Sequence, residues 1–227
     1  MLMNKIIILD QHTANQIAAG EVIERPASVI KELIENSLDA NANNFEIRIK
    51  NGGLDFMIVQ DNGNGIDKED LPLAFMRYAT SKLSKASDLS LGLVNSFGFR
   101  GEALPSIASV SKSIITTKTN SSSLAYKITC TAGAQSDIEA CSLNQGCRIE
   151  VRDLFFNVPA RLKFMKSARS ETIAIDKMLK LFSFLYPDYN WQFFSDDKAM
   201  MIAKENTNIM QRAQILFGLD SCEYLYE

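Results

Sequence analysis

FEIRIK at residues 45–50, NGG at 51–53 and LDFMIVQ at 54–60 decide how this chain folds. The first run alternates apolar and polar side chains with the period of two that a half-buried strand imposes, and the last is apolar along much of its length. Asn-Gly-Gly between them supplies residues that tolerate positive φ, so the three pieces read as a β-hairpin. Upstream, residues 13 to 40 carry a helical pattern with a tolerated break at Gly20 and another at Pro26, which suits a first helical turn, and this predicts two helices in series. Before them, residues 6–9 read as a first strand. Downstream, a short helix is expected over 68–76, and the Ser- and Leu-rich residues 79–97 read as a mobile lid. After GFRGEAL (98–104) a short helix leads into SKSIITTK (111–118), SLAYKITC (123–130), SDIEACSL (136–143) and CRIEVRDLF (147–155), four antiparallel strands separated by turn residues. Helices over 160–165 and 171–186, a last hairpin from 191–194 and 199–203, and a helix over 208–217 follow. Helices, strands, then helices make an α+β, two-layer sandwich: a mostly antiparallel sheet covered by helices on one face.

Length and composition bound what such a fold does. At 227 residues the chain has room for one or two domains of roughly 150 residues. Lys and Arg number 24 against 27 Asp and Glu, a net charge of -3 that suits neither a nucleic-acid coat nor a polybasic membrane binder. With 46% apolar and 22% charged residues the chain is neither disordered nor fibrous. It lacks the roughly 18 consecutive apolar residues of a membrane span. The four cysteines (Cys130, Cys141, Cys147 and Cys222) show no CxxC spacing and suit reduced thiols in a cytoplasm. A single histidine, His12, excludes HExxH zinc sites, and no GxxxxGK[ST], GxSxG or GxGxxG stretch occurs. Any nucleotide is bound in another way.

Three weak signals point to such binding. On a helix at 100° per residue, Ser28, Glu32, Asn36 and Asp39 fall within about 80° of arc, opposite Ile30, Leu33, Ile34 and Leu38. A solvated stripe is the ordinary explanation, but Asn36 and Ser37 are mediocre helix formers where Lys, Glu or Arg would serve better. A carboxylate one turn from an amide suits activation of water beside a hydrated Mg²⁺, which prefers oxygen ligands. The second signal is Asp61-Asn62-Gly63-Asn64-Gly65 at the end of a predicted strand. Asn-Gly is common turn chemistry; Gly63 and Gly65 also let backbone approach a flat ligand while the Asp61 carboxylate accepts from an exocyclic amine. The third is GFRGEAL, whose glycines precede a helix start suited to phosphate.

In this order and spacing, QIAAGEVIERPASVIKELIENSLDA (16–40), DNGNG (61–65), ATSK (79–82), GFRGEAL (98–104) and DLFFNVPARLKFM (153–165) resemble the N-terminal ATPase region of the MutL family of DNA mismatch repair proteins, over nearly the whole chain. That family is a branch of the gyrase, heat-shock chaperone, histidine kinase and MutL superfamily, and the resemblance implies a Bergerat-type ATPase fold. It implies that Glu32 is the general base toward the water attacking the γ-phosphate and Asn36 the Mg²⁺ ligand. Asp61 becomes the adenine-reading acid, favouring ATP over GTP. Thr80, Ser81 and Lys82 become the lid residues that meet nucleotide, and Arg100, Gly101, Glu102, Ala103 and Leu104 the phosphate loop.

The resemblance also implies a role and its limits. ATP acts there as a switch of mismatch repair, binding to order the lid and the N-terminal segment and drawing two such regions into a dimer that couples to a mismatch-recognition protein and a nicking endonuclease or helicase. Residues 4–19 and 83–97 are the segments expected to change order. Where the family shows Gly-Thr this chain has Gly146-Cys147, a poorer donor beside the base. The stretch 88–97 is slightly longer than expected. Residues 1–205 are expected to form the ATPase domain and 206–227 a connecting helix and the start of a truncated second domain, which in the family supplies a lysine to the γ-phosphate. Without that cation hydrolysis is expected to be slow. The alternative is a nucleotide-dependent interaction module with no significant turnover. Arg161, Lys163, Lys166 and Arg169 suggest weak, sequence-independent DNA contact. No membrane association is expected, and the location would be cytoplasmic, or nucleoid-associated in a bacterium.

Overall fold

A computed structural model of the chain describes residues 7, 19–20, 22–82, 96–98, 100–205 and 208–218. The expected first strand, His12, Cys222 and nearly all of the two segments expected to change order lie outside these residues. Helix α1 (Pro26–Asp39) starts on its proline, as the φ of that residue favours, and is separated from the helical Ala19, Gly20 and Val22 by non-helical residues 23–25. Its apolar stripe of Val29, Ile30, Leu33 and Ile34 is fully buried, leaving the opposite stripe turned away from the core. Arg25, just ahead of it, is clamped by Nε and Nη2 to Glu171, at 2.9 and 2.8 Å.

The hairpin forms as read. Strand β1 (Asn44–Lys50) pairs antiparallel with β2 (Phe56–Asp61), Phe45 opposite Asp61, across a 3₁₀ turn at Asn51–Gly53. The expected helix over 68–76 does not form; those residues make turns and a single 3₁₀ turn, Leu73–Phe75, because Pro72 interrupts the segment with no N–H to give a helix ladder. Helix α2 (Ala103–Ser109) then leads to β3 (Lys112–Lys118) and β4 (Ala125–Thr131). The run SDIEACSL supplies only β6 (Glu139–Cys141), after the two-residue β5 (Ala134–Gln135). Ser136 ends the earlier pairing locally, its hydroxyl accepting from Thr129 N and donating to Asp137 O. Strand β7 (Gly146–Arg152), α3 (Pro159–Phe164), α4 (Ala168–Leu185), β8 (Asn190–Ser195), β9 (Lys198–Ala203) and α5 (Ile209–Phe217) complete the order.

Among the described residues nine strands form one sheet in the order β5-β4-β3-β7-β2-β1-β8-β9, with β6 on β4. Its pairings are antiparallel except that of β1 with β8, which run parallel with Phe45 beside Trp191. Alternation sends Phe45, Ile47, Ile49, Met57, Val59, Ile115, Ile149, Val151, Trp191 and Phe193 into the core. Phe45 and Trp191 stack there with ring centroids 4.2 Å apart. Helices α1, α2 and α4 cover this face. The opposite face carries a ladder of ion pairs, Arg48–Glu46, Arg148–Glu150 and Arg152–Glu150. This is the α+β arrangement expected, one sheet with helices on one side. Helix α5 packs on α4 and β9, its buried Arg212 donating to the carbonyls of Pro187, Tyr189 and Lys204. No helix among the described residues is long and apolar enough to cross a membrane.

Candidate functional site

The site begins where β2 ends. Asp61 closes that strand on its core side, 8% exposed, and both carboxylate oxygens are engaged. Oδ1 accepts from Gly63 N at 2.8 Å and Cys147 N at 3.2 Å, and Oδ2 accepts from the Ser37 hydroxyl at 2.7 Å. Burial pushes the Asp61 carboxyl above its ordinary value, and those three donors pull it part of the way back. Two acceptor oxygens offer about four lone-pair sites, so an amine can still add to the three donors present. Gly63 is buried against the Ala40 carbonyl at the end of α1, and Gly65 lies against the Lys118 carbonyl.

Cys147 sits directly beside this acid, buried, and burial followed by the Asp61 charge holds its thiol well above the ordinary range, so it is an uncharged neighbour of Asp61. Its cross-strand partner Thr117 is fully buried; the hydroxyl accepts from Ile66 N at 2.7 Å and fixes the loop after Asp61. Gly146 makes the approach of β7 possible. Its φ is +117°, and a Cβ there would stand 2.1 Å from the Asp61 carbonyl oxygen. Gly146→Ala is therefore expected to cost about 2 kcal/mol or more and to displace Asp61. An unchanged melting temperature in a thermal unfolding experiment would contradict this.

The polar stripe of α1 supplies the next groups. Glu32 is half-buried; burial raises its carboxyl above the ordinary value, and of the nearby charges Lys31 lowers it, Glu35 raises it and Lys82 lowers it. One turn on, the Asn36 amide oxygen accepts from the Lys82 ammonium at 2.9 Å, and the same ammonium forms an ion pair with Asp39 at 2.5 Å. Lys82 thus crosses from the ATSK stretch to the helix. The Asn36 oxygen faces a cation in this structure, which fits a hard, oxygen-seeking ion such as Mg²⁺ held by one side-chain oxygen and completed by phosphate and water. No cluster of three or more His, Cys, Asp or Glu side chains placed to hold a metal occurs among the described residues.

GFRGEAL joins the group through its glycines. Gly101 has a φ of +63° and packs so closely on Ala79 that a Cβ would meet the Ala79 carbonyl at 2.4 Å, while its own carbonyl accepts from Tyr78 N at 3.0 Å. Gly98 N donates to Asp39. Arg100 is exposed, Glu102 stands at the N-cap of α2, and Ala103 and Leu104 form its first turn with Leu104 against the core. The Thr80 hydroxyl accepts from Lys82 N at 3.1 Å; Ser81 beside it is exposed. Asn36, Asp39, Lys82 and Gly98 therefore form one hydrogen-bonded set, with Glu32 one turn before Asn36 and Gly101 packed on Ala79. Asp61 joins it through Ser37 on the same helix.

Ser37, Asp39 and Thr117 also shape the site, in ways the sequence does not reveal. Sequence alone marks Ser37 only as a poor helix former, Asp39 only as one of the stripe, and Thr117 only as part of a strand. A small hydroxyl on the apolar edge of α1 and another on the core side of β3 were the available signals. Conversely, Arg161 is engaged elsewhere, donating to Ile23 O at 2.6 Å and lying against Gly20, whereas Lys163, Lys166 and Arg169 are exposed.

Comparison with known proteins gives a consistent outcome. Residues 23–151 match the family model described as histidine kinase-, DNA gyrase B-, and HSP90-like ATPase. The chain is 42% identical over 223 residues to the DNA mismatch repair protein MutL of Clostridium perfringens, covering 98% of this chain and 33% of that protein. It is 44% identical over 225 residues to the MutL of Streptococcus sanguinis, covering 99% and 34%. The chain thus spans about a third of the length of these relatives. Among solved structures it is similar to the Aquifex aeolicus MutL ATPase domain complexed with ADP, with a TM-score of 0.69 and 29% identity over 86% of this chain and 70% of that one. The N-terminal domain of a DNA repair protein aligns with a TM-score of 0.76 and 28% identity, over 92% and 62%.

Proposed function

The chain belongs to the histidine kinase-, DNA gyrase B-, and HSP90-like ATPase family, as an ATPase region of the MutL kind, and from that premise we propose that it binds ATP and hydrolyses it slowly, as a switch of DNA mismatch repair. One observation carries the reading: the Ser37 hydroxyl on Asp61, at 2.7 Å, ties the purine-reading acid to the same helix that bears Glu32 and Asn36. Base recognition and phosphate chemistry then share one rigid part. Asp61 accepts from the adenine N6 amine, Glu32 takes the proton of the attacking water, and residues 100–104 hold the triphosphate with backbone N–H groups. When bound at Asn36, Mg²⁺ neutralises phosphate charge. The Asn36 amide is engaged by Lys82 in the structure, and that contact breaks before the amide serves the phosphates.

Nucleotide binding orders residues 4–19 and 83–97 and pairs two such regions, which couple to a mismatch-recognition protein and to a nicking endonuclease or helicase. The location is cytoplasmic, and Lys163, Lys166 and Arg169 are the cations left for weak, salt-sensitive contact with DNA phosphates. The deciding experiment is a titration with ATP and GTP, each with and without Mg²⁺. ATP is expected to bind about 10-fold or more tightly than GTP, whose O6 is an acceptor facing an acceptor. Equal affinities would remove Asp61 from its role. The same titration with a non-hydrolysable ATP analogue, followed by light scattering, tests pairing: a mass unchanged at high protein concentration counts against it.

A further inference from the structure

One turn past Asn36 on α1, the Asp39 carboxylate accepts from three donors that come from two other parts of the chain. Oδ2 takes the Lys82 ammonium at 2.5 Å and Gly98 N at 3.4 Å, and Oδ1 takes Phe97 N at 3.0 Å. The Asp39 side chain is 7% exposed and that of Lys82 22%, so solvent screens this pair less than it screens the surface pairs. Lys82 places a second hydrogen on the Asn36 oxygen at 2.9 Å. A neutral amide holds an ammonium far more weakly than a carboxylate does, so the position of the Lys82 charge is set by Asp39 and only shared by Asn36.

Phosphate oxygens are the natural rivals of a carboxylate for an ammonium. Resting on the nucleotide reading of this site, we infer that Asp39 is a positioning residue: it holds the Lys82 ammonium on Asn36 and competes with the nucleotide's phosphates for it, so nucleotide affinity is set in part by this carboxylate. The competition runs through Lys82. Mere loss of a negative charge near an anionic ligand would also raise affinity, so only the dependence on Lys82 separates the two causes.

Asp39→Asn keeps an oxygen for Phe97 N and removes the charge that holds Lys82. It is expected to tighten binding of a non-hydrolysable ATP analogue, without Mg²⁺, by roughly five-fold. In a Lys82→Met background the same change is expected to have less than about a twofold effect. Glu35→Gln, which removes one charge from the same helix without touching Lys82, is the control for charge alone. A second readout needs no nucleotide: the rate at which a small activated ester acetylates Lys82, followed by peptide mass spectrometry, is expected to rise several-fold in Asp39→Asn. Should that variant fail to fold, Asp39→Glu, which keeps the charge and moves it, is expected to speed acetylation too. Equal tightening in both backgrounds, or an unchanged acetylation rate, would overturn the inference. A wild-type protein that binds no analogue would sink the nucleotide reading instead, while the acetylation comparison still decides whether Asp39 holds Lys82.

Discussion

Glu32→Ala is expected to abolish phosphate release from ATP, lowering kcat by about 10²-fold or more, while leaving ATP binding intact or slightly tighter. The split follows from the position of the side chain. Among the described residues Glu32 makes no side-chain hydrogen bond; its ion partner Lys31 is 3.8 Å away and also pairs with Glu35 at 2.7 Å. Removing it takes away a proton acceptor and one negative charge facing an anionic ligand. Burial raises the Glu32 carboxyl above the ordinary value, which makes it a better base at neutral pH and sets the sign of the pH dependence. Activity should fall as pH drops through that raised value, sooner than an ordinary glutamate would dictate. Single-turnover phosphate release beside a binding isotherm measures both halves. Hydrolysis that survives the substitution assigns the base elsewhere, and binding lost together with hydrolysis would give Glu32 a structural role.

Asp61→Asn is expected to weaken ATP binding by about 10- to 100-fold, the worth of a hydrogen bond to a charged acceptor, and to erase the preference over GTP. An asparagine can still accept from Gly63 N and Cys147 N through its oxygen, but its amide nitrogen then faces both the Ser37 hydroxyl and the adenine amine as a donor. The guanine O6, an acceptor, meets that nitrogen favourably. Because burial raises the Asp61 carboxyl in the folded chain, folding gains from this group below its unfolded value and loses that gain as pH rises through the folded one. Adenine affinity runs the opposite way and declines as Asp61 protonates. Competitive titration of ATP against GTP on the variant reads the change, and a variant that still discriminates between them would take purine recognition away from Asp61.

Local features of this site were legible in the sequence and contacts between distant parts were not. Alternation over 45–50 and the Asn-Gly-Gly turn predict the β1–β2 hairpin because both depend on neighbours in the chain. The face of α1 that bears Glu32, Asn36 and Asp39 follows from helical spacing alone. Pro72, which has no N–H to give a helix ladder, argues against the helix expected over 68–76, and turns form there instead. The Ser37–Asp61 bond was illegible because serine on the apolar edge of a helix has many uses, and only the end of β2, brought alongside by packing, selects one. The grip of Asp39 on Lys82 is of the same kind: spacing puts the acid on the stripe, and nothing announces a cation 43 positions further on.

The parallel partnership of β1 and β8 carries a consequence for how the molecule comes into being. Strand β1 is central in the finished sheet, and its hairpin partner follows it within a few residues, but Asn44 meets Asn190 only once the ribosome has delivered nearly the entire described chain. Until then one row of peptide groups on β1 stands unpaired, open to whatever other extended chain is near. Asp61 and the helix bearing Glu32 and Asn36 are therefore both translated long before the sheet that carries them can close.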